Sequence, residues 1–441
     1  MLIIAYFRDN IIHMSPNIIY RKHGERFMIS NTYNFKNPLL NELNARGFLY
    51  QFTDPEGIDD LFNNNHPVTF YVGFDATAKS LHVGHLLWIT LVNRLQRGGH
   101  NPIILVGGGT SKIGDPTWKD TQRAMLGYET ILENIDAIML KLRHFINFDN
   151  TNKNTAQLVN NDDWLSKINY MEFLRDYGPF FSINRMLSMD SVSERLKRQQ
   201  HLSFLEFNYM LLQAYDFLHL FSQKNCMLEI GGADQWSNII SGVDLIRRLH
   251  NKQTFGMTIP LLTNSDGKKM GKTEKGTVWL NENFTSPFDF WQYWRNVDDK
   301  DVIKLLKLFT DLDLNTIESY SSKIGTREIN DAKIILANSI TEFVHSKENV
   351  DSINKTINEL FINRDNINTD NLESVKIRGS MGIDQAIVTC GFAKSLSQAR
   401  RLIEGKGVKI DGNIIDSIKY QINESCVLSV GKKNFIKLEV C

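Results

Sequence analysis

Cysteine is scarce in this chain of 441 residues: there are four, Cys226, Cys390, Cys426 and Cys441. They are scattered, without the close Cys/His pairs that a structural zinc site or a redox dithiol needs, so both classes are excluded and reduced thiols in a cytosolic compartment are expected. Net charge is missing too. Lys+Arg and Asp+Glu balance at 50 each, so any polyanionic partner must be met by a local basic patch. Long apolar runs are absent: the first seven residues are mostly apolar, but Arg8 and Asp9 interrupt them before a signal-peptide core or spanning helix forms. There is no internal repeat and no low-complexity tract. Gly107-Gly108-Gly109 lacks the GxGxxG spacing at the start of a helix, which removes a simple dinucleotide-binding oxidoreductase.

What is present is ordinary globular usage, 42% hydrophobic and 23% charged, in a chain long enough for two or three cores. Residues 1–36 carry no clear pattern and stay unassigned; Met14 and Met28 are alternative starts, and a start-site artefact or tail is preferred over a weak organellar transit segment. From Val68 to about Leu262, short β-type runs alternate with helical patterns, which predicts βαβ units around a parallel sheet. VTFYVGF (68–74) is the first strand. LHVGHLLWITLVNRLQ is a helix with Val83, Leu87, Leu91 and Leu95 on one face, ended by Gly98-Gly99, and NPIILVGGG supplies the next strand. CMLEI (226–230) and FGMTIPLL (255–262) are later strands, with NIISGVDLIRRLH as a helix between them. TNSDGKKMGKTEKG, with Lys268, Lys269, Lys272 and Lys275, reads as an exposed, mobile loop.

The predicted organisation is a Rossmann-like α/β catalytic domain over 37–286, an α-helical domain over 287–361, a polar linker over 362–375 and a small α+β domain over 376–441. In the last, SLSQARRLIEGKG is helical and Asp411-Gly412 turns between two strands.

Two constellations carry chemistry. His82-Val83-Gly84-His85 sits where the first strand gives way to a helix, whose unpaired N–H groups favour a phosphate; two surface histidines in a tight turn would look the same. Lys269-Met270-Gly271-Lys272-Thr273 puts two ammonium groups and a hydroxyl on a glycine-rich loop able to close over a triphosphate, although a solvated lysine turn is the bland alternative. Occurring in this order after one alternating α/β segment, the pair favours nucleotide chemistry.

Together they resemble the two signatures of class I aminoacyl-tRNA synthetases, HIGH and KMSKS, written here HVGH and KMGKT in the variants of bacterial-type tyrosyl enzymes. The resemblance runs from about Asn37 to the C-terminus.

Specificity has its own signal. In FNYMLLQAYDFLHLF (207–221), Tyr209, Gln213 and Asp216 stand at i, i+4 and i+7, so a helix projects all three from one face amid Met210, Leu211, Leu212, Phe217 and Leu218. A buried carboxylate and amide without partners cost on the order of several kcal/mol, so internal hydrogen bonds or a polar substrate must satisfy them. The resemblance implies the second. By it, Tyr209 and Gln213, helped by Asp115 of IGDP, bind the α-ammonium of tyrosine, while Asp216 and Tyr71 meet its phenol. Phenylalanine would then leave Asp216 buried and unpaired.

The same resemblance assigns ATP to Gly73, Asp75, Thr77, His82, Gly84, His85, Gly232, Asp234 and Lys272, and places Gln235 and Asn161 at the amino-acid pocket. Lys119 and Arg123 either reach pyrophosphate or are ordinary surface cations. The C-terminal segment resembles an S4-type RNA-binding domain, in which Lys394, Arg400, Arg401, Lys406 and Lys409 would contact phosphates; a solvated helix face is the alternative.

The implied reaction is in-line attack of the tyrosine carboxylate on the ATP α-phosphate, then transfer from tyrosyl-adenylate to the 3′-terminal adenosine of tRNA. His82, His85, Lys269, Lys272 and Thr273 would act on the phosphates, without a covalent nucleophile. Mg²⁺ is expected to enter with ATP, no dedicated metal site is expected, and the family implies a homodimer. Rivals are a tryptophanyl enzyme, opposed by Tyr71 with Gln213 and Asp216; a smaller nucleotidyltransferase, which leaves KMGKT unexplained; and an idle RNA-binding or splicing-support protein.

Overall fold

The computed structural model describes residues 18–20, 26–29, 33–114, 127–149, 154–273, 276–361, 374–377, 379–431 and 434–440. These fall into two compact units, residues 1–277 with 303–318, and residues 278–302 with 319–441.

The first unit is built on an eight-stranded sheet: β1 (Ile18–Tyr20), β2 (Arg26–Ile29), β3 (Gln51–Phe52), β4 (Thr69–Phe74), β5 (Asn101–Val106), β6 (Gln157–Asn160), β7 (Leu228–Gly232) and β8 (Phe255–Ile259). Their order is β1-β2-β3-β8-β7-β4-β5-β6. The pairs from β8 to β6 are all parallel, as the alternating pattern predicts. The edge strands β1, β2 and β3 pair antiparallel, so part of the unassigned N-terminal segment extends the sheet.

Helices fill the connections: α1 (Pro38–Arg46), α2 (Pro55–Asn64), α3 (Leu86–Arg97), α4 (Tyr128–Phe145), α5 (Asp162–Leu165), α6 (Tyr170–Asp176), α7 (Ile183–Ser188), α8 (Asp190–Lys197), α9 (Phe204–Lys224) and α10 (Trp236–His250). α3 forms because Leu87, Leu91 and Leu95 recur on one face, and all three are buried. Each such side chain is worth about 2 kcal/mol when removed from water. Gly98 caps α3, and Gly99 continues in the left-handed conformation at φ 95°. α9 starts on a reciprocal Ser203/Glu206 capping box and ends on Asn225 at φ 51°.

From β4 the chain winds outward through β5 to β6, then returns to place β7 on the other side of β4. The crevice at the carboxyl ends of β4 and β7 is therefore a topological switch point, where open α/β sheets place their ligands. A short hairpin, β9 (Lys272–Thr273) with β10 (Gly276–Thr277), and a Thr263–Lys269 bridge give local order to the lysine-rich stretch that reads in sequence as a mobile loop.

Helices α11 (Pro287–Arg295), α12 (Val302–Phe309), α13 (Leu314–Ser319), α14 (Ile329–Val344) and α15 (Lys347–Phe361) follow. Residues 303–318 belong to the first unit for a visible reason: the buried Arg46 guanidinium donates to the carbonyls of Lys307, Thr310 and Leu312 at 3.3, 3.2 and 2.9 Å. Arg94 adds a 2.7 Å bond to the Thr310 carbonyl. Residues 303–318 therefore fall in the first unit, and residues 278–302 and 319–361 in the second.

The second unit also contains a small α+β fold. β11 (Ser374–Ile377), β12 (Met381–Gly382), α16 (Ile383–Thr389), α17 (Leu396–Glu404), β13 (Val408–Ile410), β14 (Asn413–Ile414), β15 (Gln421–Ile422), β16 (Cys426–Val430) and β17 (Asn434–Val440) surround a core containing Ile387, Ile403 and Leu428. Asp411 and Gly412 take φ 47° and 78°, the turn expected between β13 and β14. Among the described residues, no helix is long and apolar enough to cross a membrane.

Candidate active site

The switch-point crevice of the first unit is a cavity of about 570 Å³. Tyr71, Gly73, Asp75 and Thr77 reach it from β4 and the turn beyond, and His82, Gly84 and His85 from the turn before α3. Tyr209, Gln213 and Asp216 enter from one face of α9, and Gly232, Asp234 and Gln235 from the end of β7. Lys269 and Lys272 close the rim. Residues separated by two hundred positions in sequence thus line one space.

His82 and His85 lie with ring centroids 4.0 Å apart. His82 caps and His85 ends a single 3-10 turn, Val83–His85, ahead of α3 rather than in the helix itself. The His82 ring Nδ1 accepts the Gly84 N–H at 3.0 Å, and His85 Nδ1 accepts the His82 N–H at 3.0 Å. Each Nδ1 is therefore an acceptor, which leaves Nε2 as the protonated donor in both neutral rings. Burial lowers the pKa of His85 to about 3. Burial, then the nearby Lys272 ammonium, lowers that of His82. Neutral rings offer Nε2–H donors to the cavity but no positive charge.

Two glycines let the signature segments meet. A Cβ on Gly84 would stand 2.8 Å from His82 Cε1, so any side chain would displace the ring that accepts its N–H. Gly271 has φ 92°, and a Cβ there would come within 3.2 Å of Val83 Cβ and 3.4 Å of the Gly84 nitrogen. Glycine at the centre of KMGKT is what allows this loop to lie against HVGH. Lys269 Nζ approaches Asp234 Oδ2 at 4.0 Å. Thr273 is exposed on β9, and its hydroxyl donates to the Gly276 carbonyl at 3.1 Å.

The end of the cavity lined by Tyr71 and Asp216 is more deeply buried. Asp216 is only 2% exposed. Trp164 Nε1 donates to its Oδ1 at 2.7 Å and Asn161 Nδ2 to its Oδ2 at 2.9 Å. Burial raises its pKa to about 8, against the pull of those two donors. The structure therefore changes one expectation: Asp216 already has protein partners, and a ligand hydroxyl would complete its shell rather than rescue an unpaired acid. Tyr209 Oη donates to Asp75 Oδ2 at 3.3 Å, and Thr110 Oγ1 donates to Asp75 Oδ1 at 2.8 Å.

Gln213 is equally engaged, donating through Nε2 to Glu229 Oε1 at 2.9 Å and accepting from Asn238 Nδ2 at 3.0 Å. Sequence reading passed over Trp164, Asn238 and Glu229. Only Glu229 carried a signal, as the acid within the apolar run CMLEI. Asp115, Lys119 and Arg123 lie outside the described residues. Asn161, wholly buried, sits behind the pocket wall and also holds the Gly109 N–H at 2.8 Å.

A family model for class I tRNA synthetases (W and Y) matches residues 63–362, the whole of this site included, and an S4 domain model matches residues 381–426. The chain belongs to the class I tRNA synthetases of the tryptophan and tyrosine group. Among its relatives, the synthetase is 46% identical over 412 residues to the tyrosine–tRNA ligase of Mesorhizobium japonicum, covering 91% of this chain and 98% of that protein. It is 45% identical over 410 residues to that of the Wolbachia strain wRi of Drosophila simulans, with the same coverage. Among solved structures, it is similar to a C-terminally truncated mitochondrial tyrosyl-tRNA synthetase of Aspergillus nidulans at TM-score 0.64 and 27% identity, covering 73% of this chain and 94% of that one. The corresponding Coccidioides posadasii protein gives TM-score 0.62 and 29% identity, with 73% and 92% covered.

In this synthetase, Lys394, Arg401 and Lys406 are exposed in the small C-terminal domain, and Lys409 is half-buried on β13. Arg400 is engaged, donating through Nε to Asp384 Oδ2 at 2.8 Å.

Proposed function

We infer that the cavity takes L-tyrosine and ATP side by side, with tyrosine at the Tyr71–Asp216 end and the triphosphate between the HVGH turn and the KMGKT loop. The chain is a tyrosine–tRNA ligase: it activates tyrosine with ATP to tyrosyl-adenylate, releases pyrophosphate, and transfers the tyrosyl group to the 3′-terminal adenosine of its tRNA. The observation that supports the site reading is the convergence of Tyr71, Tyr209, Gln213 and Asp216 with His82, His85, Lys269 and Lys272 on one space.

Tyr71 and Asp216 hold the phenol. Tyr209 Oη and the Gln213 carbonyl oxygen, together with Asp115, receive the α-ammonium, so the carboxylate is held facing the α-phosphate. Orientation of this kind removes much of the entropic barrier to a bimolecular attack. Asp75, Thr77, Gly73, Gly232, Asp234 and Gln235 border the adenylate. His82 and His85 donate neutral Nε2–H groups to phosphate oxygens. Lys269 and Lys272, with Thr273, Lys119 and Arg123, stabilise charge gathering on the departing pyrophosphate. MgATP is the nucleotide substrate, its metal neutralising phosphate charge.

The basic face of α17 and the β13–β14 hairpin contacts tRNA phosphates through Lys394, Arg400, Arg401, Lys406 and Lys409. The protein works in the cytoplasm as a homodimer. Large apolar side chains support that association: Leu140 on α4, Leu158 on the edge strand β6, Tyr170 and Met171 on α6, and Ile183 on α7 are all exposed in the first unit.

The test is tyrosine-dependent exchange of pyrophosphate into ATP with Tyr71→Phe and Asp216→Asn. Both variants raise the tyrosine KM at least tenfold while the ATP KM stays within about twofold, given that one hydrogen bond to a charged partner is worth about 1.5–3 kcal/mol. An unmoved tyrosine KM in both would remove the phenol from this end of the cavity.

A further inference from the structure

Asp216 depends on a side chain whose own helix does little to hold it. The Trp164 indole Nε1 donates to Asp216 Oδ1 at 2.7 Å, yet α5, which carries Trp164, is four residues long and has no fully buried side chain. The indole is half-buried and packs against the apolar cluster that contains Tyr71, Phe217 and Leu218. One hydrogen bond defines where the indole edge lies but not the plane of the ring, because the ring can rotate about its N–H···O axis without lengthening the bond.

His219 supplies that plane. Its imidazole lies on the indole with ring centroids 4.3 Å apart and planes 17° from parallel. Asp216 and His219 stand at i and i+3 of α9, so one turn of one helix offers both an acceptor for the indole edge and a platform for its face. This helix is 21 residues long, opens on a capping box and buries Phe217, Leu218 and Leu220 around the platform. Burial, then the Lys224 ammonium five residues on, lowers the pKa of His219, so at pH 7 to 8 the ring is neutral and meets the indole as a stacked pair rather than as a cation. The next ring on α9, Tyr215, has its centroid 6.5 Å from that of His219. Neither His219 nor Trp164 is among the residues that line the cavity, so both reach the substrate only through Asp216.

We propose that His219 is a positioning residue for tyrosine recognition: its ring fixes the plane of Trp164, the indole N–H thereby meets Asp216, and the Asp216 carboxyl is held where it receives the tyrosine phenol. This rests on the reading that Tyr71 and Asp216 hold the phenol. Loss of the ring weakens only the part of binding that passes through Asp216. Phenylalanine has no phenol to place and is indifferent to that loss, so His219 contributes to the discrimination between the two amino acids.

The experiment is pyrophosphate exchange with His219→Ala, His219→Leu and His219→Phe, in the parent protein and in the Trp164→Phe background, with the tyrosine KM, the ATP KM and kcat followed separately. His219→Ala raises the tyrosine KM about three- to tenfold, the range expected of an aromatic pair, and leaves kcat and the ATP KM within about twofold. His219→Leu, which fills the same space without a flat face, raises it as much, so the loss is read even if alanine weakens the helix packing. His219→Phe keeps a flat ring at that place and stays within about twofold of the parent. In Trp164→Phe, which has no indole N–H to aim, His219→Ala adds less than about twofold. With phenylalanine as substrate, kcat/KM is unchanged within about twofold between the parent and His219→Ala.

A parental tyrosine KM in His219→Ala or His219→Leu overturns the proposal, because the ring would then be dispensable. A loss in His219→Phe equal to that in His219→Leu overturns it as well, since a flat ring would not restore the function. So does an effect of His219→Ala that persists in full in the Trp164→Phe background, which would show the ring acting on something other than the indole N–H. If Tyr71→Phe and Asp216→Asn leave the tyrosine KM unmoved, the pocket reading itself fails. If those two raise it and His219→Ala does not, the proposal alone fails.

Discussion

The indole Nε1 of Trp164 donates to Asp216 Oδ1 at 2.7 Å, across 52 positions of sequence. This bond orients the Asp216 carboxyl and opposes, without cancelling, the rise in pKa that burial imposes on it. Trp164→Phe preserves the ring and deletes the donor. Its tyrosine KM in pyrophosphate exchange rises about 10- to 100-fold, the equivalent of about 1.5–3 kcal/mol for a hydrogen bond to a charged group. An unchanged KM would mean that the indole only fills space.

The buried acids also set how stability depends on pH. The pKa of Asp216 rises from 3.8 to about 8 on folding and that of Glu229 from 4.5 to about 7, so both favour the folded state below their unfolded values. That contribution is lost as pH rises through about 4 to 8. Without tyrosine, the parent protein melts at a lower temperature at pH 8.5 than at pH 5. Asp216→Asn, which cannot ionise, loses less over the same interval. Equal losses in the two proteins would show that Asp216 does not titrate in this range.

Acid acts through the other end of the cavity. His85 titrates near 3 in the folded chain against 6.5 unfolded, because charging it would bury a cation. Its contribution is complete above 6.5 and is lost as pH falls through 6.5 towards 3. Ring NMR of the two signature histidines therefore shows His85 still neutral at pH 5, with the proton on Nε2. A cationic His85 at pH 5 would contradict the donor role.

Lys272 lies on the loop whose Gly271 packs against Val83. If this loop stabilises charge only as pyrophosphate departs, Lys272→Ala lowers kcat for exchange about 100-fold and leaves the tyrosine KM within about twofold. A variant that binds tyrosine poorly but turns over normally would assign the loop to ground-state binding.

In the C-terminal domain, Arg401→Ala combined with Lys409→Ala reduces the slope of log affinity for tRNA against log salt by about 2, one for each phosphate contact removed. A slope equal to the parent's would place the tRNA elsewhere.

Much of this arrangement was legible in the chain itself, and what was not has a common cause. The period of Leu87, Leu91 and Leu95 declared α3, whereas Val83, expected on the same helix, lies in the turn before it. The i, i+4, i+7 spacing of Tyr209, Gln213 and Asp216 declared a polar face on α9, because helical geometry alone decides which side chains share a face. HVGH and KMGKT announced nucleotide chemistry through residue type.

What escaped depends on contacts between distant segments. Strand β3 is two residues long and exists because Met257 and Thr258 of β8 lie opposite it. Residues 303–318 return to the first unit because Arg46 supplies donors for their carbonyls. Trp164 looked like one more aromatic residue until α9 brought Asp216 beside it. Glu229 was visible as an acid in an apolar strand, but only the parallel register shows that its neighbour is Tyr71.

The most direct measurement is pyrophosphate exchange into ATP run in parallel with tyrosine, phenylalanine and tryptophan. The account predicts exchange with tyrosine and a kcat/KM lower by orders of magnitude for the other two, since neither carries a phenol proton for Asp216 or a phenol oxygen for Tyr71. Phenylalanine driving exchange as well as tyrosine would contradict it.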